Sequence, residues 1–578
     1  MKGTFGKLLM IDLETKAART ETLPDRVFEQ YLGGKGLGAY LLKRYNPPGV
    51  DPLSAQNHLI LNTGPACGFP IWGANRYAAY TKSPLTGIFA ESYSGGRAFQ
   101  PMASSGYDAF ALKGASSEWV YLEIDASGVR FHSASELTGR DALETERLLR
   151  ERYPGRDCAV LTIGPAGENL VRYAYVNNDY GRCLGRTGVG AVLGSKRVKA
   201  LVFRGGAKKE AADPELLARF RKEWGTIGRD HPVTEAYHNN GTSMMVDLLN
   251  SVEAFPSRYW QDSSVQHREK INAAALHRVC KVKPTACTYC FMACTRQSEV
   301  VDGRHKGLRV DGPEYETIYA FGGLNLVDDI REIAYLNDVC DRLGMDSMSA
   351  GNVTAFAVEA FKRGRIDFAI EYGQVDRIAE LLELIAAREG VGDILADGVR
   401  EAARKLDLEE LSIQVKGMEP AGYDPRTLQG MGLAYAVSDR GACHLRTTFY
   451  KPELAGIIDP RSNEGKAELF LEYEDRLAIF DCLILCRFFR DFYQWEQLST
   501  ILRGTTGLDL SEAELKAVAA RIAATIREFS TQEGMSSEDD CLPEFFFNHP
   551  VGSASYKLHH RQFDELLADY RKVRGIAP

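Results

Sequence analysis

Nowhere in the 578 residues is there an unbroken apolar run of the roughly 18 needed to cross a bilayer, so no membrane span is expected. Nor is there a basic tract. The formal net charge is −8 and the longest cationic cluster is the short "AKKE" around Lys208 and Lys209, which excludes a nucleic-acid footprint. The N-terminal "MKGTFGKLLMIDLETK" has only a short apolar stretch and no small-residue cleavage site, so it reads as a first strand, and a cytoplasmic location is the default expectation. Cysteine is scarce, at twelve residues, which rules out a disulfide scaffold and makes any tight cysteine cluster a candidate for metal binding or catalysis. Internal repeats and low-complexity tracts are not evident.

Hydrophobic residues at 44% and charged residues at 26% describe a globular chain long enough for two to four domains. The first two hundred residues alternate β-type runs such as "KLLMIDL", "YAAYTKS", "CAVLTIG" and "KALVFRG" with glycine-rich turns. Past "RGGAKKEAADPE", where Asp213-Pro214 opens a helix, a period of three to four takes over: Ile330, Ile333, Leu336, Val339 and Leu343 form one apolar stripe. Further helices are expected at "GNVTAFAVEAFKRG", "VDRIAELLELIAAREG" and "EAELKAVAARIAATIREF", and the loop-rich "VKGMEPAGYDPR", 415–426, separates two helical parts. The expected fold is α+β: a β-rich cofactor-binding domain at 1–208, a helical middle domain at 209–415 and a helical C-terminal domain at 416–578.

The densest chemical signal is "ACTYCFMACT", with Cys287, Cys290 and Cys294 spaced C-x2-C-x3-C. Radical S-adenosylmethionine enzymes carry the reverse order. Zinc needs a fourth Cys or His, usually in a second short pair, whereas a [4Fe-4S] cluster takes four thiolates of which one commonly lies far off. Cys280, Cys340, Cys443, Cys482, Cys486 and Cys541 are all candidates for the fourth ligand, and spacing does not choose among them. In "NNDYGRCLGRTGVGAVLGSK" glycines allow close backbone approach beside Arg182 and Arg186, a combination that suits phosphate or a structural turn. It is not a P-loop, because "GAVLGSK" has three residues between its glycines where four are required. Glu314 and Glu316 in "GPEYET" and His444 in "RGACHLR" are candidate acids and bases, weighed against a surface carboxylate and a core histidine.

Together and in this order, "YLGGKGLGAYLL", "NTGPACGFPIWGANRYAAYTKSPLTG", "GRCLGRTGVGAVLGSKRVKA", "ACTYCFMAC", "GPEYET", "DRLGMD", "VKGMEPAGYDPR", "SDRGACHLR" and "DCLILC" resemble the aldehyde:ferredoxin oxidoreductase family from end to end. The resemblance implies a tungsten (or molybdenum) centre held by two pyranopterins rather than by side chains. It also implies a [4Fe-4S] cluster on Cys287, Cys290, Cys294 and Cys486, and Mg²⁺ bridging the pterin phosphates. The implied cofactor contacts are Arg76, Tyr93, Gly95, Arg182, Cys183, Gly185, Arg186, Asp341, Met345, Asp346 and Asp481. The family often has Asn where Tyr93 stands and Ala where Cys183 stands, so side-chain contacts there are not implied. His444 takes the place of the histidine beside the metal, and Glu314, ahead of Glu316, that of the catalytic acid. The implied reaction is oxidation of an aldehyde to a carboxylic acid, with electrons leaving singly to ferredoxin or a small iron–sulfur subunit, in a homodimer or hetero-oligomer. The family's interface iron is not expected, since no histidine lies between His305 and His444. Reduction of an aromatic acyl-CoA at low potential, or a pterin-free iron–sulfur electron-transfer protein, stands as the alternative.

Overall fold

The computed structural model describes residues 1–576. Two six-stranded sheets make up the first third of the chain. In the first, β1 (Lys7–Asp12), β2 (Ala17–Thr22), β3 (Leu59–Asn62), β4 (Tyr77–Lys82), β5 (Phe89–Ser94) and β6 (Ala109–Lys113) lie in the order β2-β1-β6-β3-β4-β5. In the second, β7 (Val120–Asp125), β8 (Gly128–Ser133), β9 (Cys158–Thr162), β10 (Val176–Asn178), β11 (Arg182–Leu184) and β12 (Val198–Arg204) lie in the order β11-β10-β9-β12-β7-β8. These are one topology used twice. In each, the leading strand pairs antiparallel with the next strand and parallel with the last, β1 with β6 and β7 with β12. The repeat that was not evident in sequence is therefore structural, and its trace is short: "GPA" begins two residues after β3 and again two residues after β9, and "RYA" follows at Arg76 and Arg172. Nearly everything else has diverged, because a strand interior demands only apolar residues of suitable shape.

Strands β3, β4 and β9 are buried along their whole length, which is why "LILN", "YAAYTK" and "CAVLT" read as continuous apolar or small-residue runs rather than alternating ones. Helices begin where the sequence places them: Asp213 caps the helix Pro214–Arg229 by accepting from the Leu216 N–H at 2.8 Å, with proline at its first position. The helical part also holds a small sheet that period-counting misses. Strands β13 (Cys280–Thr285), β14 (Thr295–Val300) and β15 (Arg309–Asp311) pair antiparallel and present the cysteine loop between β13 and β14. Residues 415–426 do not form a surface linker but thread the interior, their carbonyls taking hydrogen bonds from Tyr315, Tyr319 and Tyr435. Apolar packing accordingly does not divide at 415: one core joins the middle residues to helix His560–Arg574, and the other joins the two sheets to residues 477–529. No described helix is long and apolar enough to cross a membrane.

Candidate functional site

Two helix ends meet the two sheets in matching fashion. Helix Ile330–Leu343 stops at Gly344 and helix Lys466–Leu483 at Ile484, both in the left-handed region, with φ 77° and 59°. The next residue of each makes a bridge to the loop ahead of a sheet strand, Met345 with Ala174 and Leu485 with Ala74. The "GPA" glycines lie under these ends. A Cβ at Gly164 would sit 2.4 Å from the Leu343 carbonyl oxygen and one at Gly64 2.8 Å from that of Cys482, so no larger residue fits. Asp341 and Asp481 each stand three residues before the left-handed residue, in the last helical turn.

Around Asp341, the Tyr175 hydroxyl donates to one carboxyl oxygen at 2.8 Å and the Asn337 amide to the other at 2.7 Å. Burial pushes this carboxyl well above the usual range, a tendency those two donors oppose. Arg182 pairs with Asp311 at 3.0 Å. Arg186, expected beside phosphate, is committed to the protein instead: it donates to Asp346 at 3.0 Å, to the Ala442 carbonyl at 3.1 Å and to the Glu419 carbonyl at 2.7 Å. Asp346 is committed as well, since it caps helix Ser347–Lys362 through the Met348 and Ser349 N–H groups.

Around Asp481 the environment is ionic. Arg446 and Arg487 donate to one of its oxygens at 2.8 and 2.5 Å. Arg446 also reaches Glu91, which takes Lys35 at 2.9 Å and the Tyr93 hydroxyl at 2.6 Å. Burial works to raise the Glu91 carboxyl, yet Arg446, Lys35 and Arg440 together hold it below the usual range. None of Lys35, Glu91, Arg446 or Arg487 was singled out from sequence. "GGKGLG" and the arginines flanking "CH" were the available signals, but only the fold joins segments some hundreds of residues apart.

Cys486 follows the Asp481 helix end and meets the cysteine loop there. The Gly73 peptide joins the two: its N–H donates to the Tyr289 carbonyl, and its carbonyl accepts the Cys486 N–H, both at 2.8 Å. Arg76 donates to the Cys486 sulfur at 3.1 Å and the Gly96 N–H to the Cys287 sulfur at 3.2 Å. Gly95 leaves room for that guanidinium, since a Cβ there would lie 1.7 Å from it. Burial and the neighbouring Cys287 and Cys486 push the Cys290 thiol up to about 12. The other candidates lie elsewhere: Cys280 starts β13, Cys443 accepts from Arg440 at 2.9 Å and Cys541 is exposed. Among the described residues no three His, Cys, Asp or Glu side chains close on a point as a single metal ion needs. A four-iron cluster is larger than an ion and seats each thiolate on a separate iron.

His444 and its acid need a correction. The Glu314 carboxylate takes the Thr242 hydroxyl at the start of helix Tyr315–Ile318 and is not the group beside His444. Glu316 is. Its Oε1 stands 3.4 Å from His444 Nε2, and its other oxygen accepts the Gly422 N–H at 3.0 Å. Glu314 precedes the helix, so the two side chains diverge despite their two-residue spacing. Burial pushes the Glu316 carboxyl up to about 8 and the His444 imidazole well below its usual value, with Arg186 and Arg440 adding to the latter. At neutral pH the pair is thus a protonated acid and a neutral imidazole. His444 stacks on Tyr423 at 5.5 Å, and Tyr423 on Tyr450 at 4.2 Å.

Several of these groups lie deep in the protein yet keep accessible surface: Arg76, Tyr93, Arg182, Cys183, Asp341, Glu316 and Cys294. None of the seven is completely covered by protein. Six of the buried polar atoms that lack a protein hydrogen bond belong to these segments: Asn62 Oδ1, Glu316 Oε1, Arg440 Nε, His444 Nδ1, Arg446 Nε and Thr447 Oγ1. Natural interiors seldom leave such atoms unmatched, and a bound polar group would give these six their partners. Gly185 has only the Cys183 sulfur near its missing Cβ, at 3.3 Å.

The chain matches the family model "Aldehyde ferredoxin oxidoreductase, N-terminal domain" over residues 8–205 and "Aldehyde ferredoxin oxidoreductase, domains 2 & 3" over 219–578. It is 31% identical over 588 residues to the tungsten-containing aldehyde ferredoxin oxidoreductase of Pyrococcus furiosus, covering all of this chain and 96% of that protein. The Pyrococcus horikoshii protein of the same name is 32% identical with the same coverage. The WOR-like subunit of an aliphatic sulfonate oxidoreductase from Pyrococcus furiosus is 29% identical over 76% of this chain and 75% of its own. Among solved structures, the active-site complex BamBC of benzoyl-coenzyme A reductase with 1,5-dienoyl-CoA superposes with a TM-score of 0.86 at 23% identity, over 100% of this chain and 95% of that one, a likeness of fold.

Proposed function

The chain belongs to the aldehyde ferredoxin oxidoreductase family, and from that premise we propose that it oxidises aldehydes to carboxylic acids as a tungsten (or molybdenum) pterin enzyme. The observation that carries the proposal is the buried Glu316–His444 pair, an acid and a neutral base 3.4 Å apart. When bound, the pterin-held metal supplies a two-electron sink and a Lewis acid.

The chain's own residues do the rest. Asp341 and Asp481 accept ring N–H donors, each held in place by neighbours that occupy only part of its acceptor capacity. Arg182, with one guanidinium edge on Asp311, presents its remaining donors to phosphate, where Mg²⁺ would balance the charge. Arg186 and Asp346 act one step back, fixing the loop that carries Gly185 and the start of helix Ser347–Lys362. The oxidation takes its oxygen from water and releases two protons and two electrons; protonated Glu316 would donate a hydrogen bond to the carbonyl oxygen, and His444 would accept one of the two protons. Cys287, Cys290, Cys294 and Cys486 would hold a [4Fe-4S] cluster, which supplies a one-electron relay when bound. The Arg76 and Gly96 N–H groups at two of the sulfurs would stabilise negative charge on such a cluster. The electron acceptor would be a ferredoxin or a small iron–sulfur subunit.

The test is metal analysis and aldehyde-dependent viologen reduction on anaerobically purified protein, with aldehydes from formaldehyde to aromatic ones. About one W or Mo and about four Fe per chain with turnover are expected. Iron alone would remove the pterin from the proposal. Metal-loaded protein inactive on every aldehyde but active on an aromatic acyl thioester would replace the reaction.

A further inference from the structure

Cys287 lines a cavity of about 450 Å³ that opens to solvent between the end of β5, the end of β10 and strand β13. Four cations border it, Arg97, Arg150, Arg182 and Lys283, against two carboxylates, Asp179 and Asp311. Both carboxylates are taken, Asp179 by Arg150 at 2.7 Å and Asp311 by Arg182 at 3.0 Å. Arg97 and Lys283 are exposed and have no ion-pair partner among the described residues. This excess of positive charge belongs to a chain whose net charge is −8. Tyr180, 46% exposed, stands at the rim under the Arg150 guanidinium. Arg97 is tied to the thiol by backbone alone: the Gly96 N–H reaches the Cys287 sulfur, and the Arg97 N–H reaches Asp179 at 2.6 Å.

We propose that this basic cavity is the docking face for an acidic one-electron carrier protein, and that electrons leave the chain through Cys287. The proposal rests on the reading of the four cysteines as a [4Fe-4S] site. Each encounter moves one electron from the reduced cluster to the oxidised carrier, with no bond made or broken and no proton transferred, so one aldehyde requires two encounters. Unpaired cations around a redox ligand steer an anionic partner and hold its centre within transfer distance. A second groove, of about 560 Å³, is lined by Trp72, Arg221, Lys222 and Arg229. No thiol lies on its walls, and Arg221 and Arg229 lie over the Trp72 ring at 5.5 and 5.4 Å, so it serves as the control surface.

The experiment compares three holoenzymes: wild type, Arg97→Glu/Lys283→Glu and Arg221→Glu/Arg229→Glu. Each is assayed with benzyl viologen and with an acidic bacterial [4Fe-4S] ferredoxin as acceptor. Viologen rates should agree within about twofold, while KM for ferredoxin rises about tenfold or more in the Arg97/Lys283 variant alone. In wild type kcat/KM for ferredoxin should fall as salt is raised. An unshifted ferredoxin KM in that variant, or an equal rise in the Arg221/Arg229 variant, overturns the docking face while leaving the function intact. A wild type that reduces neither acceptor overturns the function and the face with it.

Discussion

The segments Asp341–Asp346 and Asp481–Cys486 follow the same path against the two sheets and part company at the sixth residue. Up to that point both run through a carboxylate in the last helical turn, a left-handed residue and a bridge to a sheet loop. Then one chain continues with Asp346, a helix cap clamped by Arg186, and the other with Cys486, a thiol that accepts from Arg76. The arginines of the two "RYA" strings diverge in the same direction. Arg76 is buried among the cysteines, whereas Arg172 pairs with Asp397 at 3.1 Å and keeps about a third of its side chain exposed. A duplicated scaffold thus fixes where two acceptors stand, while different residues at equivalent positions give one half a helix cap and the other a thiol.

The strongest test of that contrast exchanges the sixth residue. Cys486→Ala should lose the iron–sulfur absorbance and abolish aldehyde-linked dye reduction, whereas a full four-iron complement in the variant would refute the ligand assignment. Asp346→Ala should retain iron and lose stability by roughly 3–5 kcal/mol, because Arg186 is left buried without its carboxylate. Next comes the acid. Glu316→Gln should lower kcat by about 10²–10⁴ and Glu314→Gln by less than tenfold, and the reverse order in steady-state kinetics would restore the first assignment.

Between the two carboxylates the expected difference is in stability. Asp481→Asn leaves Arg446 and Arg487 short of charge and should cost about 3–5 kcal/mol, whereas Asp341→Asn, whose donors are neutral, should cost about 1 kcal/mol by denaturant unfolding. The smallest effect is in pH dependence. Glu316 works protonated and its pKa is raised to about 8, so activity should be full below that value and fall as pH rises through it. In Glu316→Gln that alkaline limb should be missing from the kcat/KM profile.

Much of this was legible in sequence, for reasons that differ between the parts. The cysteine loop, "DRLGMD" and "DCLILC" are local strings whose spacing survives because a helix end and a tight loop tolerate few alternatives. The sheet duplication was not legible, since only "GPA" and "RYA" are shared and both are too short to notice. The ion pair of Arg186 with Asp346 was not legible, because arginine beside glycine looks the same whether it binds phosphate or clamps a loop. Choosing Glu316 over Glu314 required the direction in which each side chain leaves the start of helix Tyr315–Ile318. The strands β13–β15 were hidden by their polar composition, "CKVKPT", "TRQSEV" and "RVD", inside an otherwise helical region.

The distance in sequence between the cysteine loop and Cys486 also has a meaning in time. At a synthesis rate of about 5–20 residues per second, the roughly 190 residues after Cys294 take about 10–40 seconds to appear. For that interval the ribosome-bound chain carries three thiols with no fourth, and the Gly73 peptide, made long before, has nothing to accept from. The four-thiol set is therefore complete only after translation of more than four-fifths of the protein, and until then the loop can offer at most three of its thiols.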